Sequence, residues 1–340
     1  MKAVFLTKFG SAHSAFAIRE TKRPKPSSKE VLIKVEAFGL NFADVMARLG
    51  YYRATPKLPA ILGYDVVGEV IEIGAEVNHI KVGDRVTALT RFGGYAEYAI
   101  ANNNLTFKIT DSLAAGTAVA LATQYTTAYV LSNTLANLQE NDQVLIHAAA
   151  GGVGTALTQM ALYKRCIVFG TCSSQEKINY LRENGVQHPI NYKKIKFDEI
   201  IQKILGKKRL DVIFDPVGGK SVKKGYRLLG AGGRLFSFGV SSMNQTKNIF
   251  GKLKIVLQFG MYHPLQFLSN SNGIIGVNIL KIGEERPEKL SQAMEKVVKM
   301  TEDGILKPHV GGDFHIDELA NAHEFLESRK SMGKIVVRWN

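Results

Sequence analysis

The residues best suited to chemistry form a glycine-rich turn between a short apolar run and a stretch of small and apolar residues. Residues 143–147 (QVLIH) are bounded by polar residues, which is typical of a buried parallel strand. Residues 149–154 (AAGGVG) follow, and residues 155–164 give about three helical turns. A strand, a glycine-rich turn and a helix in this order form a dinucleotide-binding fingerprint, here A-x-G-x-x-G.

The residues of this turn have separate predicted roles. Gly151 and Gly152 let the backbone approach a pyrophosphate, whose charge would lie among the N–H groups at the helix N-terminus. Val153 belongs to the same turn, and Gly154 lets the helix pack closely against the strand. Ala149 replaces the first glycine, which is acceptable if that residue does not need a positive φ. We therefore predict a nucleotide site here.

The end of the second predicted strand indicates which nucleotide binds. An Asp or Glu about 20 residues after the first glycine would bind the ribose 2′-hydroxyl of NAD. The strand predicted at 165–171 is followed instead by Ser173 and Ser174. Lys177 lies one turn further on and could reach a 2′-phosphate as a point charge, whereas Glu176 falls inside the next helix. The sequence therefore predicts NADP(H).

Strand and helix signals divide the chain into two parts. The 340 residues suffice for two domains with cores of their own. Residues 1–123 are rich in strand signals bounded by glycine, which predicts a compact, partly closed β-barrel. Residues 124–283 alternate strands and helices, which predicts an α/β, doubly wound parallel sheet. Residues 284–340 return to the first domain through a helix and a terminal strand.

The formal net charge of +14 is concentrated in the second part. Residues 124–283 hold 20 Lys or Arg against 8 Asp or Glu, whereas the rest of the chain holds 24 against 22. We interpret these clusters mainly as solvated faces. Their field could also attract an anionic cofactor, a nucleic acid or an acidic membrane. We expect no nucleic acid partner.

The N-terminus and the cysteines indicate the compartment. The opening MKAVFLTKFG lacks the apolar core of a signal peptide. Cys166 and Cys172 lie on one predicted strand and cannot reach each other in an extended chain. They indicate a reducing compartment and plain packing roles. We therefore expect a cytoplasmic protein.

Motifs spread over nearly the whole chain identify a family. They are GLNFAD at 39–44, Arg48, GYDVVG at 63–68, GDRV at 83–86, HAAAGGVG at 147–154, and Phe238-Gly239. Together they resemble the medium-chain dehydrogenase/reductase superfamily, within its zinc-free quinone oxidoreductase branch. In that branch the chain looks most like the vesicle amine transport protein 1 homologues, through GLNFADVMARLGYY at 39–52, KGYRLL at 224–229 and ILKPH at 305–309. The resemblance implies a GroES-like catalytic domain, a Rossmann-like NADP(H)-binding domain, and a homodimer through the last strand, near residues 274–279.

The chain departs from the zinc-dependent members of this superfamily at the positions of their metal ligands. The resemblance places Asn41 where those enzymes have a cysteine, and Tyr64-Asp65 where they have His-Glu. Their four-cysteine zinc lobe is missing, since the chain has two cysteines. The histidines are scattered, without a pair at ligand spacing beside Cys or carboxylate partners. We therefore expect no metal site.

The resemblance also implies a set of catalytic residues. Without a Lewis acid, hydride transfer from NADPH to a quinone or an α,β-unsaturated carbonyl is easier than alcohol oxidation through a metal alkoxide. The residues that line the nicotinamide side in the resembled family are Asn41, Asp44, Arg48 and Tyr52. Tyr52, or Tyr51 beside it, would donate a hydrogen bond to a developing enolate. Asp44 and Arg48 are spaced i, i+4, so a structural ion pair is the alternative to a catalytic role.

Further residues complete the predicted cofactor site. Asn41 would orient the nicotinamide ribose or carboxamide, and Thr127 would approach the nicotinamide from the other side. Tyr192 resembles a family residue that stacks near the adenosine end. The remaining predicted contacts are Phe238, Gly239 and Val240, at the end of a later strand.

Two functions stay open at this point. The first is an NADPH-dependent reductase of quinones or enones, and the second is an NADP(H)-binding, membrane-surface protein with little turnover. Residues 247–268 (KNIFGKLKIVLQFGMYHPLQFL) bear on the second, because this insertion has lysines at its front and an uncharged, aromatic remainder that includes Phe259 and Phe267. We favour a buried helical pair that covers the substrate cleft or joins the dimer contact. A weak contact with an anionic membrane surface is the alternative.

Overall fold

The computed structural model describes residues 1–245 and 249–339, without the side chains of 244, 245, 249, 250 and 252. The chain forms two compact units. The first comprises Met1–Thr126 and the chain from Ile282 onward, and the second comprises Thr127–Lys281. The assignment of a catalytic domain to 1–123 with 284–340, and of a cofactor domain to 124–283, stays a prediction.

The elements of the described residues are numbered along the chain. The strands are β1 Lys2–Leu6, β2 Phe16–Glu20, β3 Glu30–Leu40, β4 Ala60–Ile61, β5 Asp65–Ile73, β6 Arg85–Leu89, β7 Tyr98–Asn102, β8 Thr106–Lys108, β9 Gln143–Ile146, β10 Ile167–Cys172, β11 His188–Asn191, β12 Leu210–Asp215, β13 Leu229–Ser237, β14 Gly273–Gly276, β15 Val310–His315 and β16 Lys334–Arg338. The α-helices are α1 Ala12–Ala15, α2 Phe42–Arg48, α3 Ala115–Ala120, α4 Thr126–Tyr129, α5 Gly152–Tyr163, α6 Gln175–Glu183, α7 Phe197–Leu205, α8 Lys220–Tyr226, α9 Ile249–Gln258, α10 Pro264–Asn270, α11 Ile279–Glu285, α12 Pro287–Glu302 and α13 Leu319–Glu327. Short 3₁₀ segments cover Asn103–Leu105, Ser241–Gln245 and Ile316–Glu318, and π-helical segments cover Leu121–Tyr125 and Val130–Leu135.

The first unit is organised around β3. This strand lies inside the sheet β15-β16-β3-β5-β6-β8 and also pairs with β7, while β2-β1-β4 form a second, smaller sheet. Val31, Ile33 and Val35 are buried, whereas Lys34 and Glu36 between and beside them are exposed, as expected for a strand with one face on the core. Because β16 and β5 flank β3, the start of each lies beside the end of β3.

The second unit is a doubly wound parallel sheet, as predicted. Its six strands lie in the order β11-β10-β9-β12-β13-β14, and every neighbouring pair is parallel. The order reverses between β9 and β12, and ligands of such sheets bind outside the carboxyl ends of the strands at this reversal. The glycine-rich turn follows β9, so the fold places it at the expected position.

Local sequence signals account for the helix that follows this turn. The helix predicted from Thr155 begins earlier, because α5 starts at Gly152 with Gly151 as its N-cap in an extended conformation. Gly185 follows α6 with a φ of 82°, as predicted for a glycine that ends a helix. Among the residues described, no helix is long and apolar enough to cross a membrane.

Candidate functional site

The polar cluster of the first unit is buried where three neighbouring strands meet. Lys334 begins β16, Asp65 begins β5, and Asn41 follows the end of β3. The Lys334 Nζ lies 2.5 Å from Asp65 Oδ2 and 3.1 Å from Asn41 Oδ1. Asn41 Nδ2 donates to both carboxylate oxygens of Asp65 at 3.1 Å. The side chains of the ion pair have no exposed surface, so the cluster replaces water with mutual hydrogen bonds.

A glycine makes room for this ion pair. A Cβ on Gly39 would overlap Cε of Lys334 and would lie 2.7 Å from Oδ1 of Asp65. Gly39 pairs with Val336 across the β3–β16 ladder, so its Cα faces the path of the lysine side chain. A larger residue at 39 would therefore displace the lysine from the carboxylate.

Asp44 lies on α2 beside this cluster and has a different environment. Its Oδ2 accepts the backbone N–H of Asn41 at 2.9 Å, which caps the first turn of the helix. Its Oδ1 is buried and has no hydrogen-bond partner within the described part of the chain. Burial raises the pKa of Asp44 to about 7, and the nearby charge of Asp65 acts in the same direction. Asp44 therefore takes up a proton more readily than an exposed carboxylate does.

The structure does not contain the ion pair between Asp44 and Arg48 that was the alternative to a catalytic role. Arg48 is buried, and its guanidinium binds the carboxylate of Glu327 in α13 and the backbone carbonyl of Gly10. The capping interaction directs Asp44 towards Asn41, at the other end of α2. The contacts of Arg48 join three parts of the first unit, and its catalytic role stays a prediction.

Tyr52 and Tyr64 add two phenols next to these carboxylates. Their rings are 6.3 Å apart and nearly perpendicular, and Tyr64 also contacts Phe92 at 5.0 Å. The Tyr64 hydroxyl is buried, and its interaction with the Tyr52 hydroxyl partly offsets the effect of burial on the pKa of Tyr52. Burial raises the pKa of Tyr52, which keeps its hydroxyl protonated at neutral pH. The choice between Tyr52 and Tyr51 as donor stays a prediction.

The glycine-rich turn of the second unit fits its predicted packing role. Ala148 has a positive φ of 53°, and Ala149 does not, so alanine in place of the first motif glycine is tolerated. A Cβ on Gly154 would overlap the carbonyl oxygen of Ala148 and lie 2.7 Å from Cα of Ala149. The first turn of α5 carries no acidic residue and no side-chain cap. Its N–H groups can therefore receive an anion.

The other predicted cofactor residues of this unit follow neighbouring strands. Ser173 and Ser174 come after β10, and the Ser174 Oγ accepts the backbone N–H of Lys177 at 3.2 Å as the N-cap of α6. Lys177 is buried. Burial raises the pKa of the Cys172 thiol, and the charge of Lys177 partly offsets this effect. The Ser174 hydroxyl thus already has a structural partner.

The remaining predicted contacts lie after β11 and β13, with one exception. Tyr192 is partly exposed after β11, and its N–H bonds the carbonyl of Cys172 at 3.1 Å. Phe238 donates its N–H to the backbone carbonyl of Asp215 at 3.1 Å. A Cβ on Gly239 would lie 2.8 Å from the carbonyl oxygen of Pro216. The exception is Thr127, which is a buried residue of α4 and follows neither of these strands.

The comparison with known proteins identifies the family. Residues 27–111 match the family model described as alcohol dehydrogenase GroES-like domain, and residues 152–295 match the one described as zinc-binding dehydrogenase. A synaptic vesicle membrane protein VAT-1 homolog of Danio rerio is 34% identical over 339 residues, which cover 99% of this chain and 69% of that protein. The chain belongs to the medium-chain dehydrogenase/reductase superfamily.

Within this superfamily the chain is VAT-1-like and lies in the quinone oxidoreductase branch, as predicted. The quinone oxidoreductase of Homo sapiens is 29% identical over 339 residues, which cover 99% of this chain and 97% of that protein. The crystal structure of Escherichia coli quinone oxidoreductase complexed with NADPH superimposes with a TM-score of 0.87 at 25% identity, covering 99% of this chain and 100% of that one. The predicted combination of a GroES-like domain and a Rossmann-like sheet is confirmed.

Two buried side chains of the six-stranded sheet, His147 and Asp215, were not singled out from the sequence. His147 follows β9 and Asp215 ends β12, on either side of the strand-order reversal. His147 Nδ1 lies 3.0 Å from Thr171 Oγ1, and Asp215 Oδ1 accepts the N–H groups of Val217 and Gly218 at 2.6 and 2.9 Å. Burial lowers the pKa of His147, and the charge of Asp215 opposes this effect. The DPVGG run at 215–219 was the available sequence signal.

Two positions that the resemblance aligns with zinc ligands contact a protein cation. Asn41 and Asp65, which the resemblance aligns with ligand positions, bind the ammonium group of Lys334. Across the described ranges, no group of three or more His, Cys, Asp or Glu could hold a metal ion.

Proposed function

We propose that this protein is an NADPH-dependent reductase that transfers hydride to a quinone or an α,β-unsaturated carbonyl without zinc. The observation that carries the proposal is the buried Lys334 ammonium between Asn41 and Asp65. The chain is similar to quinone oxidoreductases, and the crystal structure of one of these enzymes contains NADPH. Both acceptor classes are electrophilic, because incoming charge delocalises onto an oxygen.

The second unit supplies the features that suit NADP(H). The uncapped first turn of α5 suits a pyrophosphate, and Gly154 lets that helix lie close to the sheet. The end of β10 offers Ser173 and Ser174 and carries no carboxylate, which favours a 2′-phosphate over a free 2′-hydroxyl. When bound, NADPH supplies a hydride from its nicotinamide ring.

The Lys334 ammonium supports zinc independence on electrostatic grounds. A divalent cation between Asn41 and Asp65 would lie within a few ångströms of a buried positive charge. At a separation of about 4 Å such repulsion amounts to several kcal/mol in a partly buried site. The lysine also uses the carboxylate that would otherwise neutralise the metal. We therefore assign the stabilisation of the developing oxyanion to hydrogen-bond donors of the protein.

Tyr52 is the donor that we propose. Its phenol stays protonated because burial raises its pKa, so it can donate a hydrogen bond to the substrate oxygen. Asn41 is held by Asp65 and Lys334, which fixes its amide for a positioning role. Asp44 adds a carboxyl group that exchanges its proton near neutral pH.

The test measures NADPH oxidation with a simple quinone and with an enone. We expect turnover by the wild type, with zinc below one atom per chain by elemental analysis and no loss of activity after chelation. Tyr52→Phe should lower kcat about a hundredfold, as for removal of an oxyanion donor. Tyr51→Phe is the matched control and should retain activity. Zinc-dependent turnover, or no turnover with either acceptor, would contradict the proposal.

Two finer features stay predictions. A homodimer would form through β14, which lies at one edge of the six-stranded sheet and exposes Ile275. A cytoplasmic location stays a prediction that rests on the cysteines discussed above. The alternative of a nucleotide-binding protein with little turnover is separated from the reductase by the same assay.

A further inference from the structure

Tyr64 has a fixed backbone next to the polar cluster of the first unit. It directly precedes Asp65, whose carboxylate binds Lys334. The hydroxyl of Thr90 donates to the carbonyl of Gly63 at 2.9 Å, and the N–H of Thr90 donates to the carbonyl of Tyr64 at 2.7 Å. Because all of these residues except Gly63 are anchored through buried polar groups, the start of the Tyr64 side chain has one position.

Two aromatic neighbours fix the ring of Tyr64 as well. Phe92 lies 5.0 Å from it between ring centroids, and Tyr52 meets it nearly edge-on at 6.3 Å. Phe92 has a φ of 145°, which a bulky residue rarely adopts. Such a backbone conformation persists where the surrounding contacts require it. The contacts of Phe92 therefore hold the phenol of Tyr64 against Tyr52.

The hydroxyl of Tyr64 stays protonated in this position. Tyr64 is 3% exposed, whereas Tyr52 is only partly buried. Burial raises the pKa of Tyr64, and the charge of Asp44 acts in the same direction. Tyr64 therefore always carries a hydrogen that it can donate.

The contact between the two phenols has a preferred direction. Each phenol has one hydrogen, so only one of the two hydrogens can lie between the oxygens. Burial raises the pKa of Tyr52, and the contact with Tyr64 opposes this effect, as expected for an oxygen that accepts a hydrogen bond. The same contact raises the pKa of Tyr64, as expected for the donor.

The surroundings agree with this direction. A buried O–H group needs an acceptor, because leaving it unpaired is costly. Oδ1 of Asp44 is buried and accepts no hydrogen bond from any described residue, so it does not take the hydrogen of Tyr64. Tyr52 is partly exposed, and its own hydrogen can point away from the core.

We propose that Tyr64 is a positioning residue of the reductase site, whose hydroxyl donates to the oxygen of Tyr52 and thereby directs the hydrogen of Tyr52 at the acceptor oxygen. This inference rests on the proposed function and adds to it a residue outside the predicted catalytic set. A hydroxyl that accepts one hydrogen bond donates the next one more strongly. The oxyanion that develops as hydride reaches the quinone or enone then meets a donor that is already oriented.

The test combines phenylalanine variants in assays of NADPH oxidation with a quinone and with an enone. Tyr64→Phe should lower kcat about three- to tenfold, as for the loss of one neutral hydrogen bond, and should leave KM and NADPH affinity unchanged. Because Tyr64 acts through Tyr52, Tyr64→Phe should cause no further loss in a Tyr52→Phe background. The matched control is Tyr95→Phe, which removes another buried hydroxyl of this unit, 3.3 Å from His323. It should leave kcat unchanged.

A second measurement does not depend on turnover. The Cζ NMR signal of isotopically labelled Tyr52, assigned by its loss in Tyr52→Phe, reports the hydrogen bonds of that phenol. It should shift in Tyr64→Phe and stay in place in Tyr95→Phe.

The outcomes separate this inference from the proposed function. Turnover by the wild type, with additive losses in the double variant or an unshifted Tyr52 signal, would overturn the positioning role alone. A wild type that reduces neither acceptor would overturn the proposed function together with the positioning role. A shifted Tyr52 signal would then leave only a structural contact between the two phenols.

Discussion

The buried charges of the first unit and the exposed lysines of α8 in the second unit lie in opposite environments. Lys334 and Asp65 have no exposed surface and satisfy each other, together with Asn41. Lys220 and Lys223 are exposed and form no ion pair with a carboxylate among the residues that the structure describes. A buried charge requires a partner because desolvation is costly, whereas an exposed charge is stabilised by water and stays available for binding. We therefore expect stability to depend on the first group and far less on the second.

The largest effect is expected from Lys334→Met. Removing one member of a buried ion pair leaves the other charge uncompensated, which lowers the free energy of unfolding by about 3–5 kcal/mol. Urea denaturation, followed by a spectroscopic signal from the first unit, measures this change. Lys299→Met, at an exposed position of α12, is the control, and it should change stability by less than about 0.5 kcal/mol. Similar effects of the two substitutions would show that Asp65 is not buried as described.

A smaller, pH-dependent effect is expected from Asp44→Asn. The pKa of Asp44 is about 7 in the folded chain and close to 3.9 when unfolded, so the folded state binds the proton more tightly. Stability of the wild type should therefore increase as pH falls from about 7 to 4, and decrease as pH rises through 7. About three pKa units set an upper bound near 4 kcal/mol.

The asparagine variant should lose this part of the pH dependence, since its amide oxygen can still accept the N–H of Asn41. Its unfolding free energy should match that of the wild type near pH 4 and exceed it near pH 8. Denaturant titrations at several pH values measure the difference. Parallel curves for the two proteins would mean that Asp44 titrates normally.

The smallest effect on stability is expected at the exposed lysines of α8. Lys220→Gln with Lys223→Gln should alter the free energy of unfolding by less than about 0.5 kcal/mol, because both side chains are exposed. A large loss of stability would place these lysines with Lys334 and remove the contrast between the two regions.

The parts of the structure that follow from local sequence were predicted well. The apolar run, the glycine-rich turn and the small-residue helix locate β9 and α5, and their alternation with later elements gives the parallel sheet. A missed local signal is Asn41-x-x-Asp44, a spacing typical of a helix N-terminus. This cap directs Asp44 towards Asn41, so the alternative of an ion pair with Arg48 does not hold.

The rest could not be read from local spacing. Lys334 is separated from Asp65 by 269 residues, and only the strand order β16-β3-β5 brings them together. Likewise, an uncharged helix gives little indication of which side it buries. The sequence favoured a buried helical pair at 247–268, whereas tertiary packing on Tyr226 places Phe267 inward and leaves Leu257 and Leu268 exposed. Lys247 lies outside the described residues, as do the side chains of Phe250 and Lys252.

The distance along the chain between Lys334 and its partners has a consequence for synthesis. During translation, β3 and β5 leave the ribosome long before residue 334 has been made. Until then, closing the first unit would bury the carboxylate of Asp65 beside Asp44 without a cation, which is strongly unfavourable. The second unit has its own core and lies between these segments in the chain, so it can fold first. We expect a nascent chain arrested before β16 to hold a protease-resistant second unit and an open first unit.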